Sequence, residues 1–301
     1  MSSSGKYGDG DFGDGGTPSL PVVWITGAGG LIGNYLVQTA AQFAPQFQVV
    51  GLTRQQLELT DYAAVRAEFQ RQQPQLVIHC AAMSRSADCQ RDPVLARKLN
   101  TEVPSQLAGI AFKVPFVFFS TDLVFDGLKG DYIETDAVNP VSVYAETKVI
   151  AEDIVSRHPR HLIIRTAINA GVSPTGDRGF NEQLGLAWRR GETTNLFTDE
   201  FRSPIPAAVT ARAVWELVQK NQTGIFHICG SEKLSRHEIG KLLAARAPEL
   251  NPKITADTLK NYHGAPRTPD VSMNCAKAQA LISFPLPKFS EWLAANPRET
   301  L

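Results

Sequence analysis

Val22-Val-Trp-Ile-Thr26-Gly27-Ala-Gly-Gly30-Leu-Ile-Gly33 decides the fold. Five β-branched or aromatic residues run into a glycine cluster, and beyond it Ile32, Tyr35, Leu36, Thr39 and Phe43 recur at helical spacing. A strand that passes through a glycine turn into a helix opens a βαβ unit, the context in which such a motif points to dinucleotide binding rather than a bare turn. Gly27 permits the tight turn, Gly30 lets backbone approach a pyrophosphate, and Gly33 lets the helix lie close on the sheet. Leu31 and Ile32 open the helix, where unpaired N–H groups and the positive dipole end face the phosphates.

The rhythm continues from there. Strands are expected at Val22–Thr26, Val49–Leu52, Leu76–Cys80, Phe116–Phe119 and Leu162–Arg165, nearly all apolar, as strands covered on both faces must be. Tyr62, Val65 and Phe69 mark a second helix, and Leu99, Val103, Leu107 and Ile110 a third. This alternation predicts an α/β fold, a Rossmann-like doubly wound parallel sheet over residues 21–165. Beyond residue 166 prolines interrupt shorter elements, which predicts a smaller C-terminal α/β lobe over 166–301, possible chain crossovers included. Helices are expected around Phe180–Trp188 and Val209–Leu217, a returning strand at Ile225–Cys229, and a helix opened by the capping box Ser235-Arg-His-Glu238.

Bulk composition narrows the function. The chain has 301 residues, 43% hydrophobic, and its 30 basic residues balance 30 acidic ones, which argues against a nucleic-acid face or a polybasic membrane patch. Cys80, Cys89, Cys229 and Cys275 form no CxxC pair, so reduced thiols and a cytoplasmic location are expected. Residues 1–20, rich in Gly, Ser and Asp, read as a disordered leader rather than a signal peptide. No apolar run reaches the roughly 20 residues needed to span a bilayer.

The chemistry concentrates in Tyr144-Ala-Glu-Thr-Lys148. On a helix, residues four apart share a face, so the phenol and the ammonium lie side by side. A neighbouring cation favours phenolate, and a tyrosine so tuned can pass a proton to or from a substrate oxygen near neutral pH. With the glycine loop and Ser120-Thr121, the set reads as a nicotinamide-dependent oxidoreductase. At the tip of the second strand, Gly51-Leu-Thr-Arg54 carries no acid for a ribose 2′-hydroxyl, and Arg54 suits a 2′-phosphate. NADPH is therefore the expected cofactor, with NADH open; Arg54 as a solvated loop residue or an adenine stacker is the competing reading.

At this point the chain resembles the extended short-chain dehydrogenase/reductases, and within them the dTDP-4-dehydrorhamnose reductase family, from about residue 22 to 295. Carrying segments are the glycine loop, Leu57-Glu-Leu-Thr-Asp61, Ala81-Ala82, Asn100, Phe119-Ser-Thr-Asp-Leu-Val-Phe125, Glu134-Thr-Asp136, Pro140, Arg165-Thr166, Asp199, Pro204, Gly224-Ile-Phe-His227 and Arg267 through Ser272. The resemblance implies a reductase of a nucleotide-linked 4-keto-6-deoxy sugar, with hydride going to C4. It puts Thr121 on the substrate carbonyl, Tyr144 as proton donor, and Lys148 on the tyrosine and the nicotinamide ribose. Glu58, Leu59, Ala81, Ala82 and Asn100 join the cofactor site, and Asp122, Leu123, Asn169, Arg202 and Arg267 the substrate site. It also implies a monomer or homodimer.

The departures matter too. Sugar-nucleotide dehydratases of the superfamily follow the Thr with Asp-Glu, whereas Thr121-Asp122-Leu123 stands here. The family commonly has Tyr at Leu123 and a Trp near Ala167-Ile168-Asn169, and its Gln-x-Gly-x-Pro-Thr stretch becomes Glu200-Phe-Arg202-Ser-Pro-Ile205. Arg202 is either a contact for a diphosphate or anionic sugar or half of a surface salt bridge. His158-Pro-Arg-His161 lacks companion ligands and reads as a turn, so no metal is expected. Two other classes stay open: a non-catalytic dinucleotide-binding subunit, as in the regulators of methionine adenosyltransferase, and a sugar-nucleotide epimerase.

Overall fold

The computed structural model describes residues 20–297. The leader expected at 1–20 therefore lies outside the described residues, apart from Leu20. The first half alternates as the sequence predicts: β1 (Val22–Thr26), α1 (Leu31–Phe43), β2 (Gln48–Leu52), α2 (Tyr62–Gln72) and β3 (Leu76–His79). Two short helices follow, α3 (Ser86–Arg91) and α4 (Pro93–Arg97), then a π-helical turn over Lys98–Glu102 that runs into α5 (Val103–Ile110). Next come β4 (Phe116–Thr121), a 3-10 turn at Asp122–Val124, α6 (Val143–Ser156) and β5 (His161–Thr166).

The second half comprises β6 (Asn169–Ala170), α7 (Phe180–Arg189), β7 (Thr193–Phe197), β8 (Phe201–Arg202) and β9 (Ile205–Pro206). After these stand α8 (Ala207–Gln219), β10 (Gly224–Ile228), β11 (Leu234–Ser235), α9 (Arg236–Arg246), β12 (Lys253–Asp257), α10 (Ala276–Gln279) and α11 (Phe289–Ala295). The expected capping box at α9 forms, Ser235 Oγ accepting from the Glu238 N–H and the Glu238 carboxylate accepting from the Ser235 N–H.

Six strands make one parallel sheet in the order β2-β1-β3-β4-β5-β10. Residue 165 therefore does not bound the sheet. β10 is its last strand, and α8 packs on α1, where Trp215 Nε1 donates to the Leu36 carbonyl at 3.2 Å. The returning strand expected at Ile225–Cys229 corresponds to Gly224–Ile228; which sheet it joins is not legible locally, because a strand this short has no periodic signal.

The apolar strands still alternate by face. Val23, Ile25, Val117, Phe119, Leu162 and Ile164 pack under α1 and α8, while Trp24, Phe116, Phe118 and Ile163 pack under α2, α5 and α6. A third core, with Leu184, Trp188, Leu196, Ile239, Leu243 and Phe289, holds the lobe together around the parallel pair β7–β12. No helix among the described residues is long and apolar enough to cross a membrane. The sheet order reverses between β1 and β3, and the crevice beyond their carboxyl ends is where a doubly wound sheet takes a ligand.

Candidate active site

The glycine loop lies in that crevice. Gly27 has φ +73°, and a Cβ there would sit 2.6 Å from the Ala81 backbone nitrogen, so the β1 and β3 turns touch only because this residue has no side chain. A Cβ at Gly33 would collide with the Gly27 carbonyl, which fixes how closely α1 meets the loop. Gly30 is the N-cap of α1 and brings no side-chain cap, and no acid occupies the first turn. The N–H groups of a thirteen-residue helix thus open toward the crevice, a cradle whose shape and sign fit a pyrophosphate.

At the neighbouring β2 end, Arg54 and Glu58 form an exposed ion pair with Nε to Oε2 at 2.8 Å. Glu58 also accepts from the Thr60 N–H and hydroxyl, and the Thr60 backbone bond, followed by Arg54, holds its carboxyl below the usual range. The strand tip therefore carries a paired cation, not the lone arginine its immediate sequence suggests. Leu59 packs against the core below it.

Thr121, Tyr144 and Lys148 meet at the end of β4. Ser142 caps α6 by accepting from the Ala145 N–H, which starts the helix so that its first turns lie against β4 and the π-helical turn. Tyr144 is 8% and Lys148 2% exposed. The ammonium stands 3.9 Å over the Phe118 ring, on the sheet face that also carries His79. Burial pushes Lys148 down to about 7, a loss that Glu152 partly offsets.

The phenol departs from expectation. Burial first, and then the Asp122 carboxylate, raise Tyr144 above the ordinary phenol value, while Thr121 and Arg202 pull it the other way. Lys148 was expected to lower it, yet the near charges at the phenol are Asp122 and Arg202. Helical spacing puts Lys148 on the right face but does not aim its ammonium, which points at the Phe118 ring.

Several residues expected at the substrate serve the architecture instead. Asp122 is fully buried and accepts from the Arg202 fork, Nε to Oδ2 at 2.5 Å and Nη2 to Oδ1. Arg202 is thus neither a free anion contact nor half of a surface bridge, because Asp122 reaches it across 80 positions of sequence. Asn169 is spent as well. Its amide donates to Thr166 Oγ1 at 2.9 Å and the Ala167 carbonyl at 3.1 Å, and its oxygen accepts from Thr210 at 2.6 Å.

Asn100, expected at the cofactor, is 1% exposed on the π-helical turn. It pins the Met83 backbone through both amide atoms and donates to Thr147 Oγ1 at 3.1 Å. Arg165 is bidentate on Glu152, Nε to Oε1 at 3.1 Å and Nη2 to Oε2 at 2.7 Å. Arg267 pairs with Glu200 at 2.7 Å, lies 4.8 Å from the Tyr262 ring centre, and keeps a third of its side chain exposed. Leu123 packs beside Tyr144 and Cys89. His158, in the two-histidine turn, bonds the Ala111 carbonyl.

Two arrangements are visible only in the tertiary structure. His79 Nδ1 bonds Thr26 Oγ1 at 2.7 Å, while its Nε2 and the Ser120 hydroxyl are buried without partners among the described residues. Glu200 collects Arg236 at 3.0 Å, Arg267 and, at 3.8 Å, Arg202. Burial alone would raise that carboxyl, but the three arginines outweigh it and hold it low. No local pattern announces either; both depend on residues brought together by the tertiary fold.

Known proteins are similar to this chain over most of its length. A probable low-salt glycan biosynthesis reductase, Agl14, of Haloferax volcanii is 29% identical over 72% of this chain and 77% of its own. Methionine adenosyltransferase 2 subunit beta of Xenopus laevis is 25% identical, covering 85% and 81%. The dTDP-4-dehydrorhamnose reductase of Sinorhizobium fredii is 27% identical, covering 89% and 93%. The crystal structure of a dTDP-4-dehydrorhamnose reductase from Clostridium acetobutylicum superimposes with a TM-score of 0.83 at 25% identity, over 91% of this chain and 97% of that one. Residues 22–299 match the RmlD substrate binding domain, and the chain belongs to that family.

Proposed function

We propose that this chain is an NADPH-dependent reductase of a nucleotide-linked 4-keto-6-deoxy sugar, of the dTDP-4-dehydrorhamnose reductase kind, that reduces C4 with Tyr144 as proton donor. The observation that carries the reading is the meeting of Thr121, Tyr144 and Lys148 beside an uncapped glycine helix start at the switch point of the sheet. The nicotinamide, when bound, supplies hydride. The chain's own residues do the rest. The glycine cradle would hold the diphosphate, and Arg54, just past the end of β2, would meet a 2′-phosphate.

Tyr144, kept neutral by burial, holds a proton for the oxygen that gains charge as the ketone is reduced. Lys148 titrates near neutrality and stabilises that charge from one helical turn away. Cofactor binding by residues 21–165 and sugar binding by the lobe are part of the proposal.

The test is NADPH oxidation with dTDP-4-dehydrorhamnose generated in situ, beside NADH and Tyr144→Phe controls. Oxidation that needs Tyr144 is the expected outcome. Tight NADPH binding without consumption would replace the enzyme by a dinucleotide-binding subunit, and transient rather than net oxidation would replace it by an epimerase.

A further inference from the structure

The Asp122–Arg202 pair is buried, joins the end of β4 to β8 of the lobe, and meets the candidate catalytic groups at two points. The first is Thr121. Its hydroxyl donates to Asp122 Oδ1 at 3.1 Å and accepts from the Leu123 N–H at 3.2 Å. It has one hydrogen to give, so anything at the phenol or the substrate oxygen competes with Asp122 for it. The second is Tyr144, where the Asp122 charge acts on the phenol and Arg202 opposes it.

We propose that Asp122 and Arg202 are positioning residues for Thr121 and Tyr144. The guanidinium fork occupies both carboxylate oxygens and weakens Asp122's hold on the Thr121 hydrogen, so the hydroxyl can turn to the phenol oxygen as Tyr144 gives up its proton. This rests on the reading of Tyr144 as proton donor. The groups facing the phenol are Thr121 and Asp122 from the β4 end, Arg202 from β8 and Cys89 from α3, while Lys148, one turn along the same helix, lies over the Phe118 ring. The remaining arginine donors turn toward Glu200, which ties the brace to Arg236 and Arg267 of the lobe.

The first experiment needs no substrate. Alkaline ultraviolet difference titration of the cofactor-free protein is run on wild type, Asp122→Asn and Asp122→Asn/Tyr144→Phe. Removing the carboxylate charge while keeping Arg202 is expected to let one tyrosine ionise roughly 1 pH unit lower, and the double variant should lack that step. A curve that superimposes on wild type overturns the proposal. If Asp122→Asn does not fold, Asp122→Asn/Arg202→Gln takes its place under the same criterion. It keeps the shape of the pair and drops both charges, with a smaller shift in the same direction because Asp122 outweighs Arg202 at the phenol.

The second experiment follows turnover against pH. Arg202→Gln should lower kcat about tenfold with KM nearly unchanged and move the alkaline limb upward, as expected when about 1.4 kcal/mol is lost at the transition state alone. Arg202→Lys should return the limb, since it restores the charge. Equal loss at every pH with no return in Arg202→Lys would reduce the pair to a structural brace. A shifted titration without NADPH oxidation would sink the reductase reading and leave the pairing intact, so the two can fail separately.

Discussion

The two walls of the cleft are built differently. On the cofactor side, Lys148 has an aromatic ring rather than a carboxylate beneath its ammonium, Ser120 Oγ and His79 Nε2 have no partner among the described residues, and the first turn of α1 has no side-chain cap. On the lobe side the charged and amide groups near Thr121 are already engaged: Asp122 with Arg202, Glu200 with three arginines, Asn169 with Thr166 and Thr210; Thr268 Oγ1 is the exception there, without a partner among the described residues. A buried polar group without a partner costs on the order of 1–3 kcal/mol. Under the proposed function, a bound ligand would supply bonds that Ser120 and His79 leave unmade. The satisfied network opposite is scaffold, and under the proposed function it would fix the shape that the sugar meets.

The comparison is tested hardest at Tyr144. Tyr144→Phe removes only the hydroxyl, so turnover should fall by on the order of 10²–10⁴-fold while NADPH binding persists. Turnover near wild type would show that the open wall is not where the proton comes from.

Lys148→Met comes next, with an expected loss of at least about tenfold in turnover and a gain in stability. Burial holds the Lys148 pKa at about 7 in the folded chain against 10.5 for the ordinary side chain. Between those values the unfolded chain binds more protons, so the penalty is fully present below about pH 7 and fades as pH rises toward 10.5. The cofactor-free Lys148→Met variant should therefore melt higher than wild type near pH 7 and lose that advantage in alkali. A Tm difference that does not change with pH would mean the ammonium is not the strained group.

How much of this was legible follows from what each feature is made of. The strands at Val22–Thr26 and Leu76–His79, the glycine turn and the α6 motif are local patterns of hydrophobicity and backbone freedom, and a short window of sequence contains them. The Tyr144–Lys148 face was legible for the same reason; the direction of the Lys148 ammonium was not, because Phe118 comes from another element. Asp122 and Arg202 read as two separate substrate contacts because nothing local shows that they meet. Asn100 read as a cofactor ligand, yet the π-helical turn that carries it brings it to the Met83 backbone, and backbone contacts leave no trace in side-chain spacing. The lobe, held by tertiary ion pairs and two-residue strands, was correspondingly obscure.

Gly27→Ala probes the cradle itself. The φ of +73° and the 2.6 Å approach of a Cβ to the Ala81 nitrogen should together cost about 1–3 kcal/mol. The loss should appear as weaker cofactor binding and a lower Tm. Cofactor affinity unchanged beside a lowered Tm would mean that the close β1–β3 approach serves folding alone.

The smallest effect is expected where the cofactor wall is already paired. Arg54 is 85% exposed at its side chain and tied to Glu58, and an exposed pair of this kind is worth roughly 0.2–1 kcal/mol. A 2′-phosphate offers more charge and a second acceptor oxygen, so it should draw the guanidinium away from Glu58. Arg54→Ala should then weaken NADPH by about tenfold, or 1.4 kcal/mol, and leave NADH nearly unchanged. Glu58→Ala, which removes the competitor, should strengthen NADPH slightly. Titrating both nucleotides into the two variants by fluorescence checks the pair of signs. If both leave the NADPH to NADH ratio where it was, phosphate discrimination resides elsewhere on the wall, and Arg54–Glu58 belongs with the satisfied pairs of the lobe.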